Sequence, residues 1–284
     1  KLITCSTHDD LLFFTNFGKV YRMKGYEVPE FSRQSKGLPI INLLPLEKDE
    51  NISSIISLSA DNEEHKYLVF VTRQGLVKRT ELSEFDNIRK SGKIAIGLKE
   101  DDELIYVGVT TGNDEIAIGA NNGRMVRFNE AEVRVMGRSA SGVKGIELED
   151  SKVIGAEVIK PGQLILIVTE NGYGKKSEIE EYRLTHRGSK GVKALNITEK
   201  NGMMVALDCV DADGEYDLMI ITDSGTIIKL PLEQVSTLKR ATQGVRLINL
   251  KDDQKVSTVA VVEKEETSEN EEANEENQTV ENIN

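Results

Sequence analysis

Gly172-Tyr173-Gly174-Lys175-Lys176-Ser177 ends as a phosphate-binding loop does, with lysine followed by a hydroxyl residue. Such a loop needs four residues between its glycines so that successive N–H groups curl around a phosphate, and here one residue separates them. His8, His65 and His186 are scattered and have no clustered carboxylate or thiol companions, and Cys5 and Cys209 lack metal-ligand or disulfide spacing, so metal, triad and disulfide chemistry all find no constellation. Acidic runs such as Glu100-Asp101-Asp102-Glu103 read as solvated turns. What recurs is cationic. Arg33, Arg138, Arg187 and Arg240 each stand four places before a glycine, and Arg89-Lys90 fills that role in a shorter copy. Lys36, Lys93, Lys144, Lys190, Lys193 and Arg246 lie around or just after those glycines, and Lys239 adjoins Arg240. Lysine and arginine beside glycine and serine can meet phosphate both as charges and through backbone N–H groups, which makes these thirteen positions candidate DNA contacts.

The glycines belong to a repeat, and the repeat decides the fold class. One element is an apolar run, a glycine turn and a strand with a cation four places on: LLFFTNFGKVYR, YLVFVTRQGLVKR, EIAIGANNGRMVR, LILIVTENGYGKK and LMIITDSGTIIK. Its turn glycines, Gly18, Gly75, Gly123, Gly172 and Gly225, stand 57, 48, 49 and 53 residues apart, and each copy reads as a β-hairpin. The basic loops follow, with Gly37, Gly92, Gly142, Gly191 and Gly244 lying 19, 17, 19, 19 and 19 residues further on. An acidic turn and an apolar strand close each unit. Four strands in about 50 residues is the size of a propeller blade, which cannot bury both faces alone and must stack on neighbours. The fold class is therefore all-β, of propeller type, with about five four-stranded blades over 9-60, 61-111, 112-160, 161-211 and 212-262. Residues 1-8 read as the last strand of a preceding blade, and with no initiating Met the chain reads as part of a longer one. Continuous apolar runs such as Leu164 to Val168 predict strands covered on both faces, while the strands with Arg22, Arg79 and Arg127 are expected nearer solvent. Leu82 to Ile88 and Asn129 to Val135 are expected as short helical turns.

The chain has 284 residues, 38% of them hydrophobic, 23 Gly, 5 Pro and no Trp, which suits a globular protein with many short turns. No apolar stretch approaches a membrane span and the start lacks a signal-peptide layout, so the chain reads as cytoplasmic, and the three sequons, at Asn51, Asn196 and Asn277, as chance matches. Net charge is −12, of which residues 263-284 hold −8 through nine Glu and one Lys. That segment is expected to be disordered, either a solubilising end or a polyanion competing with DNA for the basic loops. The body before it carries only −4, so the pattern of its charge matters more than the sum.

Three segments, YEVPEFSRQSKGLPIINLLPLE, GYGKKSEIEEYRLTHRGSKGVKALNITEKNG and TQGVRLINL, make the chain resemble the C-terminal domain of the gyrase A protein over residues 1 to about 262. The resemblance implies a β-pinwheel, a propeller whose blades exchange strands, with a basic rim that wraps duplex DNA with positive handedness. It implies that the domain itself catalyses nothing and holds no cofactor. ATP and Mg2+ are used elsewhere in a DNA gyrase heterotetramer, built of the gyrase A and gyrase B proteins, that introduces negative supercoils in the nucleoid, with no membrane partner. Two departures stand out. The family's box of Gln-Arg-Arg-Gly-Gly-Lys-Gly type is represented only by the degenerate Thr185-His186-Arg187-Gly188-Ser189-Lys190-Gly191, and the expected first blade is missing. The family's active-site tyrosine belongs to another domain, so none of the seven Tyr is a candidate nucleophile. The corresponding domain of topoisomerase IV and a propeller serving as a protein-interaction hub are the alternatives. A hub would expose an aromatic-rich face rather than repeated cations.

Overall fold

The computed structural model describes residues 5–32, 35–59, 64–251 and 253–264. Its first unit contributes β1 (Asp10–Thr15), β2 (Lys19–Lys24) and β3 (Ile52–Leu58). The second contributes β4 (Tyr67–Thr72), β5 (Leu76–Glu81), β6 (Lys93–Ile94) and β7 (Leu104–Thr110), and the third β8 (Glu115–Ala120), β9 (Arg124–Asn129), β10 (Val143–Lys144) and β11 (Val153–Ile159). The fourth holds β12 (Gln163–Thr169), β13 (Tyr173–Glu178), β14 (Val192–Lys193) and β15 (Met204–Asp211). The fifth holds β16 (Tyr216–Thr222), β17 (Ile227–Pro231), β18 (Val245–Arg246) and β19 (Val256–Glu263).

These strands form five antiparallel sheets around a common axis. The sheets are ordered β3-β1-β2-β6, β7-β4-β5-β10, β11-β8-β9-β14, β15-β12-β13-β18 and β19-β16-β17. Each unit from the second to the fifth therefore gives its short basic-loop strand to the outer edge of the blade before it, which is the strand exchange of a pinwheel. The fifth sheet has three strands among the described residues. The innermost strands β3, β7, β11, β15 and β19 pack in sequence against one another. At the hairpin-turn end they surround a cavity of about 640 Å³ whose lining includes Asn16, Arg73, Asn121, Glu170 and Ser257, one from each blade.

Period-two alternation explains the continuous apolar runs. In β4, Leu68 and Phe70 pack toward the first blade, with Leu12, Phe14 and Phe85, while Val69 and Val71 pack toward the third, with Ile116, Ile118 and Phe128. In β12, Ile165 and Ile167 face one neighbour, and Leu166 and Val168 face the next. Each of these hydrophobic cores is thus shared by two blades. The expected helical turns are 3-10 turns at Leu82–Phe85 and Glu130–Glu132.

Several expectations need correction. Strand β5 is not near solvent: Lys78, Arg79 and Thr80 are all buried, because β10 and the basic loop of the third unit cover it. The first unit's second element donates no strand among the described residues. Residues 35–46 hold only a 3-10 turn, Ile40–Asn42, and Ile40, Leu43, Leu44 and Leu46 instead cover Leu11, Phe13 and Tyr21 on the first blade's outer face. The ordered chain continues through Glu263 in β19, and Lys264 pairs with Glu233, so the segment expected to be disordered from 263 is structured at its first two residues. The rest of that acidic segment lies outside the described residues, as do residues 1–4 of the expected remnant strand, and residues 5–8 form no strand.

Candidate nucleic-acid interface

The donated strands set the basic loops on the outermost edge of the blades. Val143 and Lys144 lie opposite Val77 and Leu76, Val192 and Lys193 opposite Met125 and Arg124, and Val245 and Arg246 opposite Gly174 and Tyr173. Lys144, Lys193 and Arg246 therefore occupy one register position in successive blades, and all three are exposed. In the shorter second copy the register places Ile94 there, and it is 57% exposed. Lys93 takes the valine position one residue earlier. A shift of one residue turns a side chain to the other face, and its Nζ donates to the carbonyls of Glu84 and Asn87, 3.1 Å each.

Three of the five loop glycines serve the fold. Gly191 has φ +68°, and a Cβ there would lie 2.2 Å from the Met125 carbonyl oxygen; Gly142 and Gly244 similarly press on Val77 and Gly174. At these three glycines the Cβ position faces the backbone of the preceding blade, where no side chain fits.

The arginines four places before these glycines act as ties between loops. Arg138, Arg187 and Arg240 donate from Nη1 to the carbonyls of Ile94, Lys144 and Lys193, at 3.2, 3.1 and 2.9 Å. Backbone bonds repeat the same step: Gly97, Glu147 and Asn196 donate to the carbonyls of Ala140, Ser189 and Thr242. Four successive basic loops, from the second unit to the fifth, are thereby hydrogen-bonded into one chain. Arg138 also pairs with Glu84 at 3.3 Å, and Arg187 donates from Nε to the Glu132 carbonyl at 3.0 Å. Within the box-like segment, Thr185 N–H bonds Arg127 and Gly188 N–H bonds Gly145, so its backbone is held by two blades.

The remaining cations are freer. Arg89, Lys90 and Lys239 are exposed; Lys190 pairs with Glu149, whose carboxyl that hydrogen bond holds below its usual range; Lys144 pairs with Glu147 at 2.5 Å. Arg246 lies over the Tyr173 ring, 5.5 Å from its centroid, and donates to its hydroxyl. Lys36 is exposed on the segment that donates no strand, apart from the tied loops in the repeat, and Arg33 lies outside the described residues. Four of the five cations that stand four places after a hairpin glycine are paired within the fold: Arg22 with Asp10, Arg127 with Glu115, Lys229 with Asp217, and Arg79 with buried Glu130.

Two lysines that the pattern of exposed cations did not single out complete the arrangement. Lys78 and Lys175, three places after their hairpin glycines, have no exposed surface. Lys78 Nζ donates to the carbonyls of Ala95 (2.5 Å), Arg138 (2.8 Å) and Gly137 (3.4 Å), and Lys175 Nζ to those of Lys239 (2.8 Å) and Arg240 (2.6 Å). Burial, and next the Arg138 guanidinium, pulls Lys78 down to about 7 against the opposing pull of Glu84. Burial likewise lowers Lys175 to about 8, with Glu181 opposing and Arg240 adding to the shift. Only the unusual position of lysine where other units have Tyr21, Val126 and Ile228 marks them in the sequence.

The matches to known proteins agree with this architecture. The model of the DNA gyrase C-terminal domain, a β-propeller, matches five times, at residues 9–59, 66–111, 114–160, 163–211 and 216–263. The DNA gyrase A protein of Staphylococcus epidermidis is 54% identical over 94% of this chain, which spans 30% of that protein. Among solved structures, the C-terminal domain of DNA topoisomerase IV superposes with a TM-score of 0.81 at 30% identity, covering 96% of this chain and 84% of that one. The DNA gyrase A C-terminal domain superposes with a TM-score of 0.74 at 25% identity, covering 90% and 83%. Five repeats of one family model, each laid on one blade of a strand-exchanged propeller, show that this chain belongs to the DNA gyrase C-terminal domain family, the C-terminal domain of a type II topoisomerase.

Proposed function

We propose that this domain binds duplex DNA along its basic rim and bends it, wrapping a segment for the supercoiling reaction of a gyrase. The observation that supports this most is the hydrogen-bonded run of four basic loops, with Lys144, Lys193 and Arg246 at one register position on successive blades. Bending a site by 40 to 90° costs on the order of 1–6 kcal/mol, and a stiff curved row of cations offsets it where mobile lysines would follow the straight duplex. With roughly ten phosphate contacts, affinity falls by about three to five decades between ~50 and ~200 mM salt.

On this reading the domain performs no bond chemistry and needs no cofactor. Cleavage, rejoining and the use of ATP and Mg2+ belong to the remainder of the gyrase A protein and to the gyrase B protein, in the cytoplasm on nucleoid DNA. The similarity to topoisomerase IV keeps that sibling enzyme as a second reading, and the 54% identity to a gyrase A protein favours gyrase. Replacing Lys144, Lys193 and Arg246 together by alanine is expected to lower the slope of log affinity against log salt by about 3, near one per phosphate contact, with thermal unfolding nearly unchanged. A folded triple variant with the original slope and affinity would remove these positions from the interface.

A further inference from the structure

Lys78 and Lys175 place a buried ammonium directly beneath two of the tied basic loops. Their equivalents elsewhere are Tyr21, whose ring lies against Gly92, and the apolar Val126 and Ile228, so the cation is not a requirement of the blade. A lysine with no exposed surface is costly to bury unless its hydrogens are taken up. Here the Ala95 carbonyl and those of Gly137, Arg138, Lys239 and Arg240 take them up. The last four belong to the segments whose arginine side chains tie on to Ile94 and Lys193. Turning a carbonyl inward turns the following N–H outward in a planar trans peptide, so the Arg138 and Arg240 carbonyls face the N–H groups of Ser139 and Ala241 away from the ammonium. Inward carbonyl dipoles would otherwise place partial negative charge beside the track, and the ammonium cancels it.

We propose that Lys78 and Lys175 are positioning residues for DNA binding, clamping the loops around Arg138 and Arg240 in the conformation that presents their N–H groups and cations to phosphate. This rests on the DNA-binding reading above. The clamp weakens when the ammonium loses its proton. The charged groups that bear on that step are Arg138 and Glu84 around Lys78, with the Phe70 ring 4.8 Å from Nζ, and Arg240 and Glu181 around Lys175. Losing the charge relieves a burial penalty in the fold while loosening the loops, so rising pH drives stability and DNA affinity in opposite directions. A lysine that merely fills space would not separate the two.

The test compares the unchanged 284-residue chain with the Lys78→Met, Lys175→Met double variant, which keeps the unbranched shape. Both are titrated against a fluorescent duplex of about 30 base pairs from about pH 6 to about pH 9 at fixed low salt, with melting temperatures measured in parallel. For the unchanged chain, affinity is expected to fall at least about tenfold as pH rises, the change that linkage of one proton gives over one pH unit, with no fall in melting temperature. The variant is expected to bind at the acid end of the range as weakly as the unchanged chain does at the alkaline end, with a flatter profile; any histidine contribution is common to both and cancels. A folded variant matching the unchanged chain in affinity and pH profile overturns the proposal, as does a flat profile in the unchanged chain, which needs no variant to fold. No binding by the unchanged chain overturns the rim reading itself, a separate result because it appears before any substitution is made.

Discussion

At the scale of single residues, similar-looking cations have three different jobs. Lys144, Lys193 and Arg246 are exposed at the rim, Arg138, Arg187 and Arg240 hold neighbouring loops, and Lys78 and Lys175 lie under the loops. Arg187→Gln removes two side-chain bonds to the carbonyls of Glu132 and Lys144; it is expected to cost about 1–2 kcal/mol in urea denaturation. It should reduce DNA bending more than it reduces the salt slope, since the charge lost is one while the tie lost joins two blades. For Lys78, the folded value near 7 lies below the ordinary 10.5, so between these the unfolded chain binds more protons and stability rises with pH. Lys78→Met is expected to remove part of that rise, as read by melting temperatures from about pH 6.5 to about pH 10. The candidate cations were legible because they recur beside glycine. Their division of labour was not, because each tie reaches a partner 43 to 47 residues away, as from Arg187 to Lys144 or from Arg240 to Lys193, on an element donated to another blade.

At the scale of elements, the donated strand links sequence to surface. The hairpins were legible from their glycine turns and apolar runs, but the direction of donation was not. A two-residue strand such as Val192–Lys193 carries too little pattern to declare its partner, which lies on the preceding unit in β9. The same blindness put β5 near solvent: alternating charge in Leu76–Glu81 reads as an open face unless the covering strand is known. Gly191 shows how tightly donor and acceptor meet. Gly191→Ala combines a left-handed backbone with a Cβ at 2.2 Å from the Met125 carbonyl oxygen, and is expected to destabilise by about 2 kcal/mol or more, since the left-handed conformation alone costs about 1–2. Hydrogen exchange should then rise at Val192 and Lys193 before it rises in β12. Equal protection in the variant would show that the donated strand seats without the glycine.

At the scale of the whole molecule, the large cores are shared between neighbouring blades and four successive basic loops are hydrogen-bonded one to the next. Five units of about 50 residues thus behave as a curved bar carrying charge on its outer edge. Five stacked blades were legible from repetition alone, whereas the folding of Ile40–Leu46 over Leu11, Phe13 and Tyr21 departs from the repeat and was not. Overall charge is a poor guide, because the −12 total is concentrated in the C-terminal segment while the rim repeats cations. Whether the rim imposes its curvature on DNA is read by energy transfer between dyes at the two ends of a duplex titrated with the chain at two salt concentrations. With an imposed curvature the ends are expected to draw together on binding, and both binding and approach to weaken steeply with salt. Tight binding that leaves the end-to-end distance of the free duplex unchanged would contradict it.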